Sequence, residues 1–91
     1  MTIHVAQRKL GELIIALRRQ CGLGVKALAR KSHVQKKHIL RMECGIISTK
    51  DVVNRVLNAL EIQDPSLLSR VQEYMNIIWP VRGPVFRSVL V

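Results

Sequence analysis

Leu10, Leu13, Ile14 and Leu17 stand at i, i+3, i+4 and i+7, the spacing of one helical face. They predict an amphipathic first helix over about His4 to Gln20. Arg18 and Arg19 fall in its last turn, where cations suit the helix dipole, and Gly22 follows as a left-handed stop. A short second helix is expected over about Val25 to Lys31, with Leu28 and Ala29 facing inward. Ser32 and His33 break it. Val34, Ile39 and Met42 then mark the buried side of a third helix, about Gln35 to Cys44, ended by Gly45.

Ser48 or Thr49 is the candidate N-cap of a fourth helix, which carries Val52, Val53, Val56, Leu57 and Leu60 at helical spacing. Asp64-Pro65 is a start signal for a fifth, a cap followed by proline at the first helical position. Leu67, Leu68, Val71, Met75 and Ile78 form its stripe, and it must stop before Pro80. The remaining "PVRGPVFRSVLV" is broken by Pro and Gly. Its alternation of Val85, Arg87, Val89 and Val91 with Phe86, Ser88 and Leu90 predicts an extended arm or a short β-strand. The expected fold is all-α: a five-helix bundle followed by this arm.

The chain has 91 residues, 48% of them apolar. That is one small core and too much apolar content for wholesale disorder. One Trp, one Tyr and one Phe leave that core to aliphatic residues, as suits helices packed on helices. No run of 18 apolar residues suggests a membrane span. The N-terminus lacks the basic-then-apolar layout of a secretory signal. Cys21 and Cys44 form no C-x-x-C pair, which suits a reducing cytoplasm rather than a disulfide framework.

Charge is more telling than composition. The net charge is +9, with a pI near 10.6. From Arg8 to Lys50 there are eleven Lys or Arg residues against two acids, Glu12 and Glu43. From Asp51 onward there are four of each. A merely solvated surface would mix the two signs; this segregation points to a polyanion met by the first half of the chain. The expected second and third helices are short, joined by a tight turn, with Leu28, Ala29, Val34 and Ile39 placed to pack them together. That is the spacing of a helix-turn-helix. Gln35, Lys36 and Lys37 would then lead the second of the pair into the major groove.

From Leu10 to Ile62 the chain resembles the Cro and phage-repressor type of helix-turn-helix, also called XRE. The marks, in order, are "LRRQCGL", "ALA", "HV", "ILRMECG" and "VLNALEI". The resemblance implies a domain over 1–63 of the phage-repressor DNA-binding type; 64–91 is read separately, from its large apolar residues, as a dimerisation or partner-binding extension. It implies that Lys36, Lys37 and Arg41 contact bases, guanine edges being favoured by such side chains. Leu40 stands where many relatives have a small polar residue, either against a thymine methyl or simply exposed. Gln35, Lys26, Thr49 and Lys50 match phosphate-holding positions, which set register and affinity rather than sequence. Arg18 and Glu43 match an architectural ion pair between the first and third helices. Two positions depart from the pattern. Val25 stands where relatives often carry Gln, and His33 replaces the usual Gly of the turn.

Trp79, Val85, Phe86, Val89 and Leu90 are the candidate dimer or partner interface, the alternative being a tail folded back on its own core. His4, His33 and His38 are scattered without ligand spacing, so no metal and no cofactor are expected. The two thiols read as half-buried packing groups, a redox switch being the alternative. No nucleophile with a base beside it and no phosphate-cradling loop suggests an enzyme. The expected function is a bacterial, phage or plasmid-encoded cytoplasmic regulator, a repressor binding double-stranded DNA as a homodimer at a palindromic operator. An antitoxin that also holds a toxin is the alternative, and a protein-interaction module without DNA activity the third reading.

Overall fold

The computed structural model describes residues 1–80. It is all-α, with five helices: α1 Ile3–Gln20, α2 Val25–Ser32, α3 Lys36–Glu43, α4 Lys50–Leu60 and α5 Pro65–Ile78. The expected arm and strand, and with them Val85, Phe86, Val89 and Leu90, lie outside the described residues.

Short side chains start three of the helices. Thr2 accepts a hydrogen bond from the Val5 amide, Thr49 from the Val52 amide and Asp64 from the Ser66 amide. Each satisfies an amide with no partner inside the helix. The first four helices are each followed by a residue of positive φ: Gly22, His33, Gly45 and Glu61. After α1, the Gly22 amide bonds to Arg19 O and the Leu23 amide to Arg18 O. After α3, Gly45 bonds to Met42 O and Ile46 to Arg41 O. These are two copies of the Schellman ending. His33 takes the same left-handed backbone at φ 57° without being glycine, at a cost of about 1–2 kcal/mol.

Boundaries differ slightly from expectation. α1 begins one residue earlier, at Ile3. α2 runs on through Ser32, which is buried and donates its hydroxyl to Leu28 O at 2.7 Å, so the break falls at His33 alone. Gln35 and Cys44 cap α3 rather than belong to it.

One core unites the bundle. Leu10, Ile14, Leu28, Ile39, Met42, Val53 and Val56 are fully buried. α1 packs on α3 and α5, and α2 packs on α3 and α4. Two inward assignments need correction. Leu68 is 47% exposed despite fitting the stripe of α5, because it faces a groove between α4 and α5 rather than the core. Both cysteines are exposed, not half-buried.

An eight-residue helix is too short to stand alone in water, so α3 is held by what it packs against. Ile39 and Met42 are its two buried residues, each contributing about 1.5–3 kcal/mol of apolar burial. Gly11 of α1 lies directly beneath. A Cβ built there would sit 2.2 Å from Met42 O, so only glycine lets the two backbones approach this closely.

Candidate nucleic-acid interface

Two short helices, α2 and α3, pack across the three-residue turn 33–35. At about 100° per residue, the side chains of α3 divide into two faces. Ile39 and Met42 point into the core. Lys36, Lys37, Leu40 and Arg41 occupy the opposite arc, and all four are exposed. His38, only partly exposed, lies at the edge between the faces.

The inner side has a second anchor. Arg18 near the end of α1 donates from Nε to Glu43 Oε2 at 2.7 Å, with a longer bond from its second terminal nitrogen to Oε1 at 3.4 Å. Its remaining nitrogen donates to Leu23 O at 3.0 Å. The guanidinium thus joins the end of α1, the loop before α2 and the last residue of α3. The two side chains are only 13% and 11% exposed. Little water competes for these bonds, unlike at the other two ion pairs among the described residues: Lys31–Glu61 is 45% and 66% exposed, Arg55–Asp51 53% and 72%.

The remaining candidates are also at the surface: Lys26 in the first turn of α2, Gln35 capping α3, Thr49 capping α4 and Lys50 starting it. Thr49 Oγ1 accepts from the Val52 amide, which leaves its hydroxyl hydrogen free to donate outward. Among the described residues, the ion pairs engage Glu43, Glu61 and Asp51 with Arg18, Lys31 and Arg55. None of them involves Lys26, Lys36, Lys37, Arg41 or Lys50.

Those lysines are placed against local preference. Lys26, Lys36, Lys37 and Lys50 sit in the first turns of α2, α3 and α4, where the helix dipole already provides positive potential. No acid balances them in the first turns of α2 and α3. Positive helix ends carrying further positive charge form a surface that an anion stabilises.

Sequence reading missed three participants. Gly11 fixes how near α3 lies to α1; its signal was a glycine inside a strong helical stripe, where alanine would be the better former. Leu23 contributes a carbonyl to Arg18, for which no side-chain pattern exists. Lys31 donates to Glu61 at 2.6 Å, joining the ends of α2 and α4. This bond, and the ammonium charge itself, hold the Glu61 carboxyl below the usual carboxylate range.

Trp79 is half-buried against the molecule's own core, so part of the surface assigned to a partner is already covered. No helix among the described residues is long and apolar enough to cross a membrane. Among the same residues, no three His, Cys, Asp or Glu side chains gather as a metal site would require. No family model, curated protein or solved structure matches this chain.

Proposed function

We propose that this protein is a sequence-specific double-stranded DNA-binding regulator of the Cro and phage-repressor type, acting as a repressor in the cytoplasm of its host. The observation that carries this reading is the outer face of α3. Lys36, Lys37 and Arg41 project from it without ion-pair partners among the described residues, while Glu43 of the same helix is turned inward to Arg18. A helix of this size fits the major groove, and its cations suit the O6 and N7 acceptors of guanine. Lys26, Gln35, Thr49 and Lys50 supply phosphate contacts around it.

One eight-residue reading helix makes too few base contacts for tight specific binding. A homodimer on a two-fold symmetric operator, with reading helices about 34 Å apart, supplies the rest. The test is binding to DNA upstream of the protein's own gene. Lys36→Ala or Arg41→Ala is expected to cost about 1–3 kcal/mol of affinity and to relax base preference. Lys50→Ala weakens all sequences alike and flattens the salt dependence. Unchanged affinity and preference after both α3 substitutions would refute the assignment of α3.

A second reading, an antitoxin that binds a toxin and represses its own operon, has one observation in its favour. The groove of about 360 Å³ between α4 and α5 is lined by Leu57, Ile62, Leu68, Val71 and Met75 among polar residues, and could receive a protein partner. A toxin gene beside this one, and co-purification of the two products, are what that reading requires.

A further inference from the structure

Leu40 is 44% exposed and takes no part in the core. Single exposed leucines are common on protein surfaces; the surroundings of this one set it apart. Lys36 lies one turn before it, Lys37 three residues before it and Arg41 directly after it. Leu40 therefore sits amid the three cations as the one large apolar side chain of the outer face of α3. Helix formation does not demand it, since Lys, Gln, Glu and Arg are comparable helix formers. The core does not demand it either, because Ile39 and Met42 already fill the inner face.

On the DNA-binding reading, on which this inference rests, that face meets the floor of the major groove. The floor presents hydrogen-bond donors and acceptors and a single kind of apolar group, the methyl on C5 of a pyrimidine. An apolar side chain set among guanine-seeking cations has no other complementary surface there. The geometry points to Leu40 as a specificity-determining residue that reads a 5-methylpyrimidine in each half-site, close to the guanines read by Lys36, Lys37 or Arg41. The methyl can belong to thymine or to 5-methylcytosine, and the chemistry of the contact is the same for both.

The experiment begins with selection of DNA from a random pool by the full chain. Each thymine of the selected half-site is then replaced by deoxyuridine, which removes the methyl and leaves the hydrogen-bonding pattern unchanged. Where a cytosine is selected, it is replaced by 5-methylcytosine. At one position per half-site, loss of the thymine methyl is expected to weaken binding about fourfold, the change that burial of one methyl group produces. If cytosine occupies that position, methylation strengthens binding by the same factor. In Leu40→Ala the sensitivity disappears while the guanine preference and the salt slope stay unchanged. Leu40→Met, which restores an apolar side chain of similar reach, restores it. An unchanged thermal melt shows that both variants are folded. Selected DNA whose affinity ignores every methyl, or a methyl effect equally large in Leu40→Ala, overturns the role of Leu40 and leaves DNA binding standing. A pool from which no sequence is enriched overturns both.

Discussion

The two faces of α3 are built on opposite terms. The inner face has no slack: Ile39 and Met42 are fully buried, Gly11 admits nothing larger beneath Met42, and Glu43 is held by a largely buried Arg18. On the outer face Lys36, Lys37 and Arg41 enter no ion pair among the described residues, and Leu40 stays out of the core. One short helix thus separates the side chains that hold it in place from those that stay at the surface. Its position is fixed from behind, so the outer side chains are free to serve a partner. Substitutions on the two faces should therefore fail in different ways.

The largest effect is expected at the closest approach. Gly11→Ala places a methyl group against backbone that cannot rotate away, and overpacking of this kind costs about 1–3 kcal/mol. Chemical denaturation should place it at the upper end of that range; a stability equal to that of the parent would show that α1 and α3 are not held so tightly. Next comes the ion pair. Glu43→Ala leaves Arg18 short of its charged acceptor in a poorly hydrated place, at a cost of about 2 kcal/mol. The same denaturation curve reads it, and a loss below about 0.5 kcal/mol would make the pair ornamental, like an ordinary surface pair. On the outer face, Lys36→Ala and Arg41→Ala should change stability by less than about 0.5 kcal/mol while impairing DNA binding. A marked loss of stability from either would break the contrast between the faces.

The smallest effect is expected at the exposed Lys31–Glu61 pair. The Glu61 carboxyl is held below its usual range by Lys31. A depressed carboxylate contributes stability above its unfolded pKa and loses that contribution as pH falls through the folded value. Glu61→Gln should therefore lower the melting temperature slightly near neutral pH. The difference should shrink as pH falls through the folded pKa and vanish once the carboxyl is protonated in both states. A difference that persisted there would mean that Glu61 acts through its left-handed backbone rather than its charge.

The helices were legible because their signals are local. Thr49, Asp64-Pro65, Gly22 and Gly45 state where the chain starts and stops helices, and the apolar stripes state which side is buried. Leu68 was misplaced for a related reason: its spacing fits the stripe, yet only the separation of α4 from α5 decides whether that stripe is covered. The candidate site was legible in part. Charge asymmetry marked the first half of the chain, and the outward direction of Lys36, Lys37 and Arg41 follows from the inward direction of Ile39 and Met42. The pairing of Arg18 with Glu43 spans 25 residues and rested on resemblance, because periodicity cannot foresee it. The glycine inside the stripe of α1 marked Gly11 as unusual, but its partner Met42 O was not legible, since backbone approach between distant segments leaves no side-chain pattern.

Whether the outer face of α3 reads DNA sequence is decided by random-pool selection run in parallel on the parent protein and on Arg41→Ala. The parent is expected to yield a two-fold symmetric consensus, with half-sites about one helical turn apart, and the variant to lose preference at one position per half-site. No enrichment by the folded parent, or an identical consensus from the variant and from Lys36→Ala, would contradict sequence reading by α3.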